Sequence, residues 1–166
     1  MHVLVTAASK HGSTEEIAHR LAERLRSHGL DVDEAAPERA TLADSDAVVV
    51  GSAVYAGKWL SNARAFVRAN MVELRRLPVW TFSSGPVGDP PQPAEEAREG
   101  RELAELVHAR THRTLVGRVD PSQLRLAERA IVRLLGASTK DDRDWDAVDA
   151  FADEIATALE TVVHGV

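Results

Sequence analysis

Residues 1–25, MHVLVTAASKHGSTEEIAHRLAERL, are the stretch on which the fold turns. The apolar run Val3 to Val5 reads as a buried strand, and Ile17, Leu21 and Leu25, spaced by four, read as one face of a helix. Between them stands SKHGST, residues 9–14, which is small, polar and rich in hydroxyls. Ser13 with Glu16 three residues on fits a capping box and predicts that the helix starts there, while Gly29 predicts its stop.

A helix amino terminus carries unpaired N–H groups and about half a positive charge, so it suits a phosphate. Ser9, Ser13 and Thr14 bring hydroxyl donors, Gly12 lets the backbone come close, and Lys10 adds a point charge. Two readings stand side by side: a phosphate loop, or a Ser13 that merely caps its helix. His11 is either part of the site or a solvated loop residue. Neither GxxxxGK[ST] nor GxGxxG occurs, so the loop has room for a terminal phosphate monoester rather than for the groups those motifs hold.

Working outward, Ala47 to Val50 and Val79 to Phe82 read as buried strands, and Leu30 to Val32 and Leu115 to Val119 as weaker ones. Helical periods lie between them: Ala63, Phe66, Val67 and Leu74; Leu103, Leu106 and Val107; and the stripe Val148, Phe151, Ile155, Leu159, Val162, Val163. Strands alternating with helices predict an α/β fold, a flavodoxin-like doubly wound sheet of five parallel strands in the order 2-1-3-4-5, with helices on both faces. A ligand would then lie beyond the carboxyl ends of the strands, where SKHGST sits. A phosphoacceptor receiver domain shares the strand order, but the first strand ends in Thr6, Ala7, Ala8 with no acidic pair, and the third ends in Gly51 rather than Asp.

Two further loops leave strand ends. VVVGSAVYAGKWLSNARAFV, residues 48–67, runs from a strand through Ser52, Ala53 and Val54 to Tyr55, Ala56, Gly57, Lys58 and Trp59. Aromatics are 4% of the chain, yet two stand here four residues apart, either to stack on a planar ring system or to close the end of the core. TFSSGPVGD, residues 81–89, places Ser83, Ser84, Gly85, Pro86, Val87 and Gly88 after another strand, where backbone groups can meet a ring's polar edge. Ser and Gly also dominate ordinary tight turns.

Residues 3–18 (VLVTAASKHGSTEEIA), 48–59 (VVVGSAVYAGKW), 82–88 (FSSGPVG) and 144–147 (DWDA) resemble the flavodoxin-domain proteins related to the menaquinone-dependent protoporphyrinogen oxidases. The resemblance implies FMN, with its phosphate in the loop Ser9 to Thr14 and its isoalloxazine between residues 52–59 and 83–88. It also implies electrons taken from a small organic donor and passed to a quinone-like acceptor. The alternative is a non-enzymatic flavodoxin-type carrier that serves a redox protein partner. No side chain stands out as a catalytic acid or base.

The chain has 166 residues and reads as one FMN-binding domain, with a late insertion at about 120–143. In that segment Leu124, Ala127, Ile131, Leu134 and Leu135 make an apolar face opposite Arg125, Glu128, Arg129 and Arg133, either to pack on the domain's own core or to dock a partner, quinone or membrane. There is no cysteine, which excludes disulfides, thiolate catalysis and Cys-bound metals. Asp141, Asp142, Asp144 and Asp146 fit no calcium loop and instead predict a helix start, and the seven histidines form no metal pattern, so no metal is expected. A net charge of -6 argues against a nucleic-acid-binding surface, and it departs from the basic membrane-associated members of the resembled family, which counts against membrane attachment. With no long apolar run and no signal-peptide pattern, a cytoplasmic protein is expected, and a homodimer stays open.

Overall fold

The computed structural model describes residues 1–86, 98–117 and 143–164. Its elements in chain order are β1 (His2–Ala8), α1 (Ser13–Ser27), β2 (Asp31–Ala35), β3 (Ala47–Tyr55), β4 (Lys58–Trp59), α2 (Ser61–Ala69), α3 (Met71–Leu74), β5 (Val79–Pro86), α4 (Arg98–Leu106), β6 (Thr111–Gly117) and α5 (Trp145–His164). The sheet order is β2-β1-β3-β5-β6, all parallel, with the two-residue β4 folded back antiparallel on β3. Leaving out that short arm, the five parallel strands follow the expected order 2-1-3-4-5.

Alternation along the strands divides the core. Val3, Val5, Val49, Trp80 and Phe82 face α1 and α5, meeting Ile17, Leu21, Leu25, Phe151, Ile155 and Leu159. Leu4, Val48, Val50 and Val79 face the other way, toward Phe66, Val67, Leu74 and Leu103. Successive strand residues point to opposite faces, so near-continuous apolar runs are what a sheet covered on both sides requires. Gly51 lies under the Phe82 ring, where an added Cβ would stand 2.1 Å from Cζ.

Several boundaries differ from expectation. Gly12, at φ +83°, is the N-cap of α1 and makes no side-chain cap bond, and its carbonyl accepts the Glu16 N–H at 2.9 Å. The expected capping box is therefore corrected: the left-handed glycine turns the chain, and Ser13 is already helical. Gly29 does end the helix. At φ +79° it donates to the Arg26 carbonyl at 2.9 Å, and Leu30 donates to the Leu25 carbonyl at 3.4 Å, the paired bonds of a Schellman stop. β3 does not end at Gly51 but continues to Tyr55, because Ser52 and Ala53 pair in register with Ser83 and Ser84 of β5.

On one side α1 and α5 are joined by a ladder of ion pairs at four-residue intervals. Arg20 donates to both oxygens of Asp149 at 2.7 and 2.6 Å, Arg24 to both of Asp153 at 2.7 and 2.9 Å, and His28 Nε2 meets Asp153 at 2.7 Å. At the amino-terminal end Arg143 bonds Glu16 and lies over the Trp145 ring, 4.6 Å from its centroid. Asp144 accepts the Ala147 N–H at 3.0 Å, and Asp146 sits in the first turn, so these two acids open α5 as expected. Asp141, Asp142 and nearly all of the 120–143 segment lie outside the described residues. Among the described residues no helix is long and apolar enough to cross a membrane.

Candidate functional site

β1, β3 and β5 are neighbours, and their carboxyl-end segments lie side by side: Ala8 is level with Ser52, Ser52 with Ser83, and Ala53 with Ser84. The first loop leads into α1, whose opening N–H groups have no acceptor within the helix. Among the described residues nothing lies within 4 Å of where a Cβ on Gly12 would project. Ser9 and Ser13 are partly exposed and Lys10 is exposed, whereas the Thr14 side chain is buried.

The second loop is a β-hairpin. Tyr55 pairs with Lys58 across Ala56 and Gly57, at φ 48° and 73°, and positive φ at both central residues is the type I′ turn that matches strand twist. Tyr55 is 39% exposed, and burial of the remainder raises its hydroxyl pKa. Its ring meets the first loop: Lys10 Nζ lies 5.2 Å from the centroid, and the His11 ring approaches edge-on at 6.5 Å. Trp59 is different. It is buried, its indole N–H donates to Ser83 Oγ at 2.8 Å, and its backbone N–H donates to Glu99 at 2.5 Å. Of the two aromatics expected to stack, Trp59 is thus turned into the core, and Tyr55 alone presents a face.

Ser52 and Ser83 are likewise buried and spend their hydroxyls inward. Ser52 Oγ donates to the Ala53 carbonyl at 2.8 Å and accepts the Leu60 N–H at 3.0 Å, which braces the hairpin. Ser83 Oγ also meets His112 Nε2 at 3.1 Å, and His112 Nδ1 meets Thr81 Oγ1 at 2.8 Å. Ala53, Val54 and Ser84 are buried, Ala56 and Lys58 are exposed, and Gly57 and Gly85 lie between. Val87 and Gly88 lie outside the described residues, as does the side chain of Pro86.

His112 carries no signal of a role in the sequence, where it is one of seven histidines without a pattern. It stands in β6, and burial, then the charge of Arg101, push its pKa down to about 4. Only the pairing of β6 with β5 brings it to Ser83, and that contact spans 29 residues. Elsewhere His19, Glu23 and Glu34 converge on the surface, but Arg26 already donates to both Glu23 and Glu34 at 2.7 Å. A cleft of about 330 Å³ opens on the β2 side of Ser9, where Glu15, Glu34 and Glu38 stand with Arg39 and Asn62.

A family model described as "Flavodoxin domain" matches residues 4–146. No curated protein matches by sequence. Among solved structures the fold is similar to a flavodoxin of Streptococcus pneumoniae TIGR4, at 20% identity and TM-score 0.64, covering 95% of this chain and 99% of that one. It is also similar to flavodoxin 1 of Bacillus cereus, at 15% identity and TM-score 0.65, covering 95% and 98%. A third similarity is to the rubredoxin oxygen:oxidoreductase of Desulfovibrio gigas, at 18% identity and TM-score 0.66, covering 96% of this chain but 36% of that one. At these identities the likeness is one of fold, and the chain spans about a third of that last protein.

Proposed function

The chain belongs to the flavodoxin-domain family, which implies FMN as cofactor, and on that premise we propose an FMN-binding oxidoreductase with its site at the shared edge of β1, β3 and β5. The observation that carries this reading is the convergence of an open, glycine-capped helix start with the exposed Tyr55 ring. In this reading the N–H groups and hydroxyls of Ser9, Lys10, His11, Gly12, Ser13 and Thr14 hold the phosphate. The hairpin from Ser52 to Trp59 and the residues 83–88 flank the ring, with Tyr55 as the stacking partner. When bound, FMN supplies the redox chemistry, and the protein supplies position, electrostatics and exclusion of water.

The donor is a small organic molecule and the acceptor quinone-like, as in protoporphyrinogen oxidases, whose motifs GST and GSAVYAGKW resemble those at residues 12–14 and 51–59. A second reading, a carrier that hands electrons to redox proteins, is favoured by the end-to-end match with stand-alone flavodoxins. Titration of the apoprotein with FMN and riboflavin, followed by flavin emission, tests the site. FMN should bind far more tightly, and equal binding would defeat the phosphate loop. Anaerobic mixing of the FMN-loaded protein with protoporphyrinogen, quinols and a protein reductase then separates enzyme from carrier.

A further inference from the structure

The hairpin that carries Tyr55 is tied to β5 by a polar chain that is buried at Trp59, Ser83 and Thr81 and half-buried at His112. Trp59 Nε1, Ser83 Oγ, His112 and Thr81 Oγ1 follow one another at 2.8, 3.1 and 2.8 Å. α4 closes over it: a Cβ on Gly100 would stand 2.4 Å from Ser83 Oγ, 2.7 Å from Trp59 Nε1 and 2.8 Å from His112 Cε1. Glu99, next to that glycine, fixes Trp59 a second time through its backbone N–H. The Trp59 and His112 rings lie 6.3 Å apart, tilted by 36°.

We propose that His112 is a positioning residue for the ring-binding half of the site, accepting the Ser83 proton on Nε2 so that Ser83 Oγ can accept the Trp59 indole and lock the hairpin to β5. The proposal rests on the flavin reading above. Ser83 has one proton and accepts from Trp59, so a partner that takes its proton completes it, and neutral imidazole carrying hydrogen on Nδ1 then donates to Thr81. The imidazole is suited to this because its surroundings keep it uncharged near neutral pH. A buried chain of this kind is stable only when every member is satisfied. Removing the acceptor leaves Ser83 and the indole to compete for bonds that α4 shields from water. The hairpin from Tyr55 to Trp59 then loses its single placement against β5, and Tyr55 loses its own.

The test compares wild type, His112→Leu and His112→Gln. Three readouts are taken: affinity for FMN and for riboflavin, visible circular dichroism of the bound flavin, and hydrogen exchange of the Trp59 and Leu60 amides in the flavin-free protein. In His112→Leu both flavins should bind about tenfold more weakly, the scale of one lost buried hydrogen bond. The ratio of FMN to riboflavin affinity should stay as in wild type, because the phosphate loop is untouched. The dichroism should change and both amides should exchange faster. His112→Gln returns an acceptor near the place of Nε2 and should recover most of the affinity and the wild-type dichroism. Unchanged affinity, dichroism and exchange in His112→Leu would overturn the role while leaving the flavin reading intact, and so would a Gln variant no better than Leu. If His112→Leu does not fold, Trp59→Phe removes the donor at the other end and must give the same pattern, wild-type values there being fatal to the proposal. A wild type that binds neither flavin would overturn the reading of function, and this role with it.

Discussion

Tyr55 and Trp59 stand four residues apart and meet opposite surroundings because of hairpin pairing. Val54 pairs with Trp59 and Tyr55 with Lys58, so one pair faces the core and the next faces solvent. Tyr55→Ala should therefore raise the emission of bound FMN and weaken binding by about 0.5 to 1.5 kcal/mol, the worth of an aromatic contact. Trp59→Ala should instead destabilise the protein by roughly 3 to 5 kcal/mol, as removal of a buried indole does. Emission titrations and thermal melts read the two, and a Trp59→Ala protein of wild-type melting temperature would contradict the burial. At the first loop, Ser13→Ala should cost FMN about 1 to 3 kcal/mol through a lost charge-assisted bond and leave riboflavin unaffected. The turn at Gly12 was legible in the sequence as a glycine between strand and helix, whereas the cap expected of Ser13 fell to that glycine, one residue earlier. The inward turn of Trp59 and Ser83 was not legible, since their partners sit on elements distant in sequence.

At the scale of elements, the strands and helices of the core were legible because apolar runs and four-residue spacings are local. The length of β3 was not, nor was the start of β6 at Thr111, four residues ahead of the expected Leu115. Ser52 and Ala53 look like loop residues until pairing with β5 makes them strand. The α1–α5 ladder was also hidden, since it depends on the rotation of two helices more than a hundred residues apart. It predicts a response to acid. The Arg20 and Arg24 guanidinium groups, with His28, hold the Asp149 and Asp153 carboxyls below their ordinary value of 3.8. A depressed carboxyl stabilises the fold above that value and loses the effect as pH falls through the folded pKa. His112 acts in a different window. With a folded pKa of about 4 against an ordinary 6.5, it leaves the unfolded chain binding the extra proton between those values, so stability falls as pH drops from 6.5 to about 4. Denaturant melts across pH should show that slope reduced in His112→Gln, with the loss below 3.8 kept. In Asp153→Asn the converse is expected.

For the whole molecule the open question is where the electrons come from, and net charge gives a way to ask it. At -6 the protein attracts a basic redox partner over distances that salt shortens, with a Debye length of about 10 Å at 0.1 M falling to about 3 Å at 1 M. A carrier that docks such a partner should be reduced more slowly as salt rises. A neutral quinol feels no such field, and its encounter with the flavin edge should be indifferent to salt. An anionic porphyrinogen is repelled by the same charge, so its reaction should speed up as salt screens it, unless Arg125, Arg129 and Arg133 draw it in locally. The expected outcome is rapid anaerobic bleaching of the FMN-loaded protein by a quinol or protoporphyrinogen in one two-electron step, with a rate that does not fall as salt increases. Stopped-flow absorbance across a salt series reads it directly. Bleaching by a protein reductase alone, in single-electron steps and steeply slowed by salt, would instead assign the chain to the carriers.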